Sequence, residues 1–194
     1  MKVVKYGSVH QYIQKRKAIL TILLLITAVS VAFAIFFCKR VGNDFAGNAN
    51  IETIKQYTYS QYFSYLIYEY AKYLLFFLIL STTFFGFLGV SAGYFAFSYF
   101  SFVSFIKLVF SGVSPLKYAI ILLPRLLVAI PVMLLLCTEL MHGNQMLVCR
   151  IFNDERRHAK LSFGRFLPLI LFAGLAGIAF VAASAISALA IFIL

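Results

Sequence analysis

The chain has 194 residues, 63% of them hydrophobic and 12% charged, with a mean hydropathy of +0.95, and a water-soluble domain of this size has no interior large enough for that apolar surface. Its formal net charge of +11 lies in short basic clusters beside apolar runs, the signature of membrane topology rather than of nucleic-acid binding. Cys38, Cys137 and Cys149 are odd in number and unevenly spaced, so they outline no disulfide framework.

Lys2, Lys5, Lys15, Arg16 and Lys17 precede the first apolar run, Ala18 to Cys38. At 21 residues it exceeds the roughly 7 to 15 of a signal-peptide core, so AFA at 32–34 is not taken as a cleavage site, and 18–38 is read as an uncleaved first span. Lys39 and Arg40 then open a polar, tyrosine-rich loop over about 39–66.

Between Lys72 and Lys107 lie 34 residues without a charge. One helix of that length is about 51 Å long, too long for one crossing of a hydrocarbon core about 30 Å thick. Gly86, Gly89 and Gly93 stand at the middle, and the sequence predicts a turn there between spans at about 67–87 and 93–113. Ser114 and Pro115 offer an N-cap and first helical residue for a fourth span, about 115–141. A loop at 142–165 and a charge-free run at 166–194 complete an all-α, polytopic membrane protein of five spans.

Charge supports the odd number. With the N-terminus in the cytoplasm, the basic start and the loop bearing Arg150, Arg156, Arg157, Lys160 and Arg165 share the cytoplasmic side, and the C-terminus lies outside. A single crossing by the 72–107 run would move that loop outside, whereas a re-entrant hairpin over 72–107 is an alternative that keeps it inside.

Tyr62, Tyr65, Tyr68 and Tyr73 recur at roughly helical spacing in the outer segment, beside Glu69. They read either as an aromatic belt at the membrane interface or as a docking surface for an extracytoplasmic partner, with Tyr62, Tyr65, Tyr68 and Glu69 as its candidates. In the last run, Ala173 with Gly177, and Ala179, Ala183 and Ser187, are spaced four apart, a stripe that favours helix packing. The cluster RIFNDERRHAKLSFGR at 150–165 either fixes topology or lies on anionic lipid.

The six carboxylates are split by the topology into Asp44, Glu52 and Glu69 outside and Glu139, Asp154 and Glu155 inside, and no acid/base pair is evident. His10, His142 and His158 have no metal-ligand spacing with the cysteines, and the glycines precede no phosphate-loop signature. The expectation is a protein that is not an enzyme and has no cofactor.

Arg125 stands between Pro124 and Pro131 inside the fourth span. An arginine at mid-membrane costs roughly 2.5 to 3.5 kcal/mol, while the surrounding Leu, Ile and Val residues return about 4 to 7, so the segment inserts unaided. The prolines release the carbonyls of Ile120 and Leu127 on one face, predicting a proline-kinked helix whose arginine either caps freed carbonyls or serves a function.

The stretches YFSYLIYEYAKYLLFFLILSTTFFGFLGVSAGYF (62–95) and LLPRLLVAIPV (122–132), with the basic N-terminus and five-span plan, resemble the stage II sporulation protein M family over nearly the whole chain. Glu69 stands where that family tends to carry asparagine. The resemblance implies a non-enzymatic membrane scaffold of endospore engulfment, seated in the septal membrane with two peptidoglycan-degrading partners, sporulation proteins D and P. A competing expectation, drawn from the residues alone, is a transporter or permease subunit in which Arg125 lines an anion path.

Overall fold

In a computed structural model, the residues described are 9–41, 57–110, 123–152 and 167–193, and nearly all of them are helical. The helices are α1 (Val9–Val41), α2 (Tyr59–Thr82), α3 (Gly86–Phe110), α4 (Ile130–Phe152), entered through a π-helical turn at Arg125–Ala129, and α5 (Leu167–Ile193). Each contains a stretch long and apolar enough to cross a membrane: Ile13–Arg40, Tyr59–Thr82, Gly86–Ile106, Leu126–Cys149 and Leu169–Leu189. That is the make-up of a multi-pass membrane protein.

The first helix begins at Val9 rather than Ala18, and three boundaries nearer the site also differ from the sequence expectation. The tyrosine-rich segment does not stay a loop to residue 66, because α2 starts at Tyr59 behind a capping box. Thr58 Oγ accepts from the Gln61 amide and the Gln61 side chain accepts from the Thr58 amide, which satisfies two helix-start donors, while Tyr62, Leu66 and Tyr70 form a buried stripe. The turn between α2 and α3 lies at Thr83–Phe85, ahead of the glycines and not among them. Gly86, Gly89 and Gly93 are helical and face α2: a Cβ on Gly93 would sit 2.7 Å from Phe77 Cε1, and one on Gly89 would sit 3.2 Å from Leu80. They are contact glycines, which let two helices approach without side chains between them.

The third difference is at the end of α4, which continues to Phe152 instead of stopping near 141. Residues 142–152 read as loop because His142, Gly143 and Asn144 interrupt the apolar run, yet each is helical and Asn144 is buried. The Ser114–Pro115 cap, most of the 39–66 loop and residues 153–165 lie outside the described residues.

Ring pairs and hydrogen bonds fix the directions. Phe33 meets Phe95 and Phe37 meets Tyr99, so α1 and α3 are parallel. Tyr73 meets Phe97 while Gly93 faces Phe77, and Tyr70 stacks on Phe180 at 4.5 Å while Tyr62 and Leu66 cluster with Ala188, so α2 is antiparallel to α3 and to α5. The start of α1, the α2–α3 turn, the end of α4 and the start of α5 thus share one end, called the near end below.

α4 is the hub, touching all four other helices, and 56% of its apolar window is buried against 39% or less for the others. Lipid tails are as apolar as leucine, so packing and internal hydrogen bonds hold such a bundle together rather than hydrophobic burial. Several hydroxyls comply: Ser91, Ser101, Ser104 and Thr138 each donate to the carbonyl four residues back, and Thr27 Oγ1 and Tyr94 Oη meet at 2.9 Å between α1 and α3.

Candidate functional site

Two polar contacts concentrate at the near end, and both are made by α4. In the first, Arg16 of α1 grips Glu139: Nε donates to Oε1 at 3.0 Å and Nη2 to Oε2 at 3.4 Å. Glu139 is 4% exposed and the Arg16 side chain 15%. The uncharged part of α1, Ala18 to Cys38, begins just beyond this arginine and measures about 31 Å, so the pair lies at the edge of the hydrocarbon layer. A carboxylate there needs a partner, and the planar guanidinium supplies two donors in the matching geometry. His142, three residues on, is half-buried and within electrostatic reach of both charges.

The second contact closes the α2–α3 turn. Asn144 Nδ2 donates to the carbonyls of Ser81 and Thr83, each at 2.8 Å, and its Oδ1 accepts from the Phe87 amide at 3.1 Å. These are groups that a helix end and a helix start leave without intrahelical partners. Gly86 is required for the fit, since a Cβ there would collide with the Asn144 amide and lie 2.7 Å from the Leu80 carbonyl. One side chain therefore terminates α2, starts α3 and ties both to α4.

The residues singled out by sequence lie elsewhere. Arg125 opens the π-helical turn, about 20 Å along the axis from Glu139, and its side chain lies outside the described residues. Pro124 is buried and Pro131 exposed. The wide turn before Pro131 has a steric reason: proline lacks an N–H and its ring crowds the carbonyl of Leu127, which an extra residue in the turn relieves. Tyr62 is buried on α5, whereas Tyr65 and Tyr68 are exposed, the first donating to Glu69 Oε1 at 3.1 Å and the second lying 4.6 Å beneath the Lys72 ammonium.

In the small-residue stripe, Ala183 and Ser187 are buried, Ala173 packs at the core edge, and Ala179 and Gly177 are half-exposed, with nothing within 4 Å of a Cβ on Gly177. The close approach expected there is not made at Gly177; the face in use runs through Ala176, Phe180, Ala183, Ser184, Ser187 and Ala188.

The chain matches no protein-family model, no curated protein and no solved structure. The near-end contacts therefore stand on their geometry alone. Sequence reasoning missed them because Arg16 counted as a topology charge and Asn144 as a loop residue. The available signal was the run Glu139, His142, Asn144 inside an otherwise apolar stretch, since a polar side chain within a span needs a partner.

Proposed function

We propose that the protein is a non-enzymatic membrane scaffold that displays a tyrosine surface on the extracytoplasmic side, with its N-terminus in the cytoplasm and its C-terminus outside. The observation that carries this reading is the division of labour in the first turns of α2: Tyr62 and Leu66 are locked onto Ala188 of α5, while Tyr65 and Tyr68, on the other face, are exposed. Tyrosines on a braced helix offer a partner large amphipathic contact area with little rotamer entropy to lose. Orientation follows from the concentration of lysine and arginine in the N-terminal and 150–165 segments.

The resemblance to the stage II sporulation protein M family gives the partner class: membrane-anchored peptidoglycan hydrolases, sporulation proteins D and P, at the septal membrane during engulfment. In this reading Pro124 and Pro131 bend the fourth span and Arg125 sets its geometry. Co-purification after mild solubilisation tests it. The native chain should bring down wall hydrolases, and Tyr65→Ser with Tyr68→Ser should lose them while the bundle stays folded. Recovery of an intact complex of other envelope proteins without hydrolases would overturn the assignment.

A second reading, a permease subunit, rests on Arg125 at a π-helical turn, since such turns are frequent at functional sites. Arg125→Leu separates the two. A path residue abolishes flux and leaves assembly intact, whereas a packing residue alters assembly.

A further inference from the structure

We propose that the near end of the bundle holds one anionic glycerophospholipid, seated between the α2–α3 turn and the last turns of α4. This site is at the opposite end from the tyrosine surface and does not depend on the scaffold reading. Past Asn144, α4 runs on to Phe152 while the turn stops against the asparagine, and the step between them is an open depression of 380 Å³ lined by Phe84, Phe87, Asn144, Gln145, Val148 and Cys149. The amide of Asn144 is fully engaged by Ser81, Thr83 and Phe87, so the floor is apolar, and Gln145 is the exposed polar group at its edge.

The rim is apolar as well. Phe84 and Phe152 meet edge to face at 5.6 Å, and both, with Phe85 and Ile151, are more than half exposed. The turn carries no charge, and the Ser81 and Thr83 carbonyls are taken up by Asn144, which suits a segment at the boundary between acyl chains and head groups.

Charge selects the head group. Lys15 and Lys17 are exposed beside the Arg16–Glu139 pair, and Arg150 follows Cys149 in sequence. Glu139, the carboxylate of this end among the described residues, is neutralised by Arg16. An apolar seat at the same end of the bundle as Lys15, Lys17 and position 150 fits acyl chain and phosphate together, and disfavours a zwitterionic lipid or a basic protein.

The chain has no tryptophan, so one introduced indole is a clean reporter. Phe84→Trp, and independently Phe152→Trp, would be placed in phosphatidylcholine vesicles containing brominated phosphatidylglycerol or brominated phosphatidylcholine as the minor lipid. Ile178→Trp on the exposed face of α5 would report bulk lipid. The near-end reporters should reach half-quenching at a several-fold lower fraction of the anionic lipid, and Ile178→Trp at equal fractions of both. Adding Lys15→Gln, Lys17→Gln and Arg150→Gln should bring the two near-end curves together. Equal quenching of both near-end reporters by the two lipids, a preference that survives loss of the three charges, or reporters that neither lipid quenches because a second copy or another protein covers the face, would each overturn the proposal.

Discussion

Replacing Asn144 by leucine deletes three hydrogen bonds and leaves the Ser81 carbonyl and the Phe87 amide to find partners at the edge of a membrane, while the Thr83 carbonyl keeps the Gly86 amide. An unsatisfied buried group costs about 1 to 3 kcal/mol; with part of the turn reachable by water, Asn144→Leu should cost about 3 kcal/mol in all. The midpoint of detergent-induced unfolding measures it, and an unchanged midpoint would show that the clamp contributes nothing. The ion pair is predicted to behave differently. Arg16→Met alone leaves Glu139 charged without its partner and should destabilise by about 3 kcal/mol, whereas the double variant Arg16→Met with Glu139→Leu should recover most of that loss, because removing both partners also removes their desolvation cost. A double variant as unstable as the single one would mean that the arginine acts by packing. Neither contact was legible at this scale: 123 residues separate Arg16 from Glu139, and periodicity reports which face of a helix is apolar, not which distant side chain will meet it.

Among the helices, glycine has two uses that look alike in sequence. Gly86, Gly89 and Gly93 fall at the centre of a charge-free run and read as punctuation, but the chain turns at Thr83–Phe85 and uses the glycines as the surface on which α2 lies. Length settled that a break was needed; its position depended on Asn144, a partner outside the segment. The contrast with α5 makes a prediction. Gly93→Ala drives a Cβ to 2.7 Å from Phe77, in a contact where Phe76 also lies 3.3 Å away, and should cost about 2 kcal/mol through overpacking. Gly177→Ala enters open space and should be neutral or gain about 0.5 to 1 kcal/mol from helix propensity. Opposite signs in the same unfolding assay would separate the two uses, and equal penalties would place Gly177 in a tight contact after all. The small-residue spacing in α5 was visible beforehand, and Ala183 and Ser187 of it are buried, but the face in use also runs through Ala176 and Phe180 and leaves Gly177 aside, since spacing of four fixes a stripe without saying which stripe meets a neighbour.

For the molecule as a whole, the number of helices long and apolar enough to cross a membrane was legible because hydropathy and charge-free length are local properties that add along the chain. What they left open was whether residues 72–107 cross twice or dip in and return. α2 and α3 have 24 and 25 residues, about 36 and 37 Å, and each can span alone. The cysteines turn this into an experiment. Cys38 is near the far end of α1 and partly exposed, Cys149 is exposed at the near end of α4, and Cys137 is buried between them. Two crossings by α2 and α3 followed by one by α4 make an odd total between Cys38 and Cys149. An impermeant maleimide should therefore label Cys149 from one face, the cytosolic one in the proposed orientation, and Cys38 from the other, with Cys137 reacting only after unfolding. If both label from the same face, residues 59–110 cross once. A re-entrant hairpin would leave the two on opposite faces, so it needs a second probe at the exposed turn residue Phe85. In a Phe85→Cys variant, labelling from the same face as Cys149 places the turn at the end of two full spans. Labelling from the face of Cys38 returns the turn to the far side and separates it from Asn144, and the clamp joining α2, α3 and α4 could not form in the membrane.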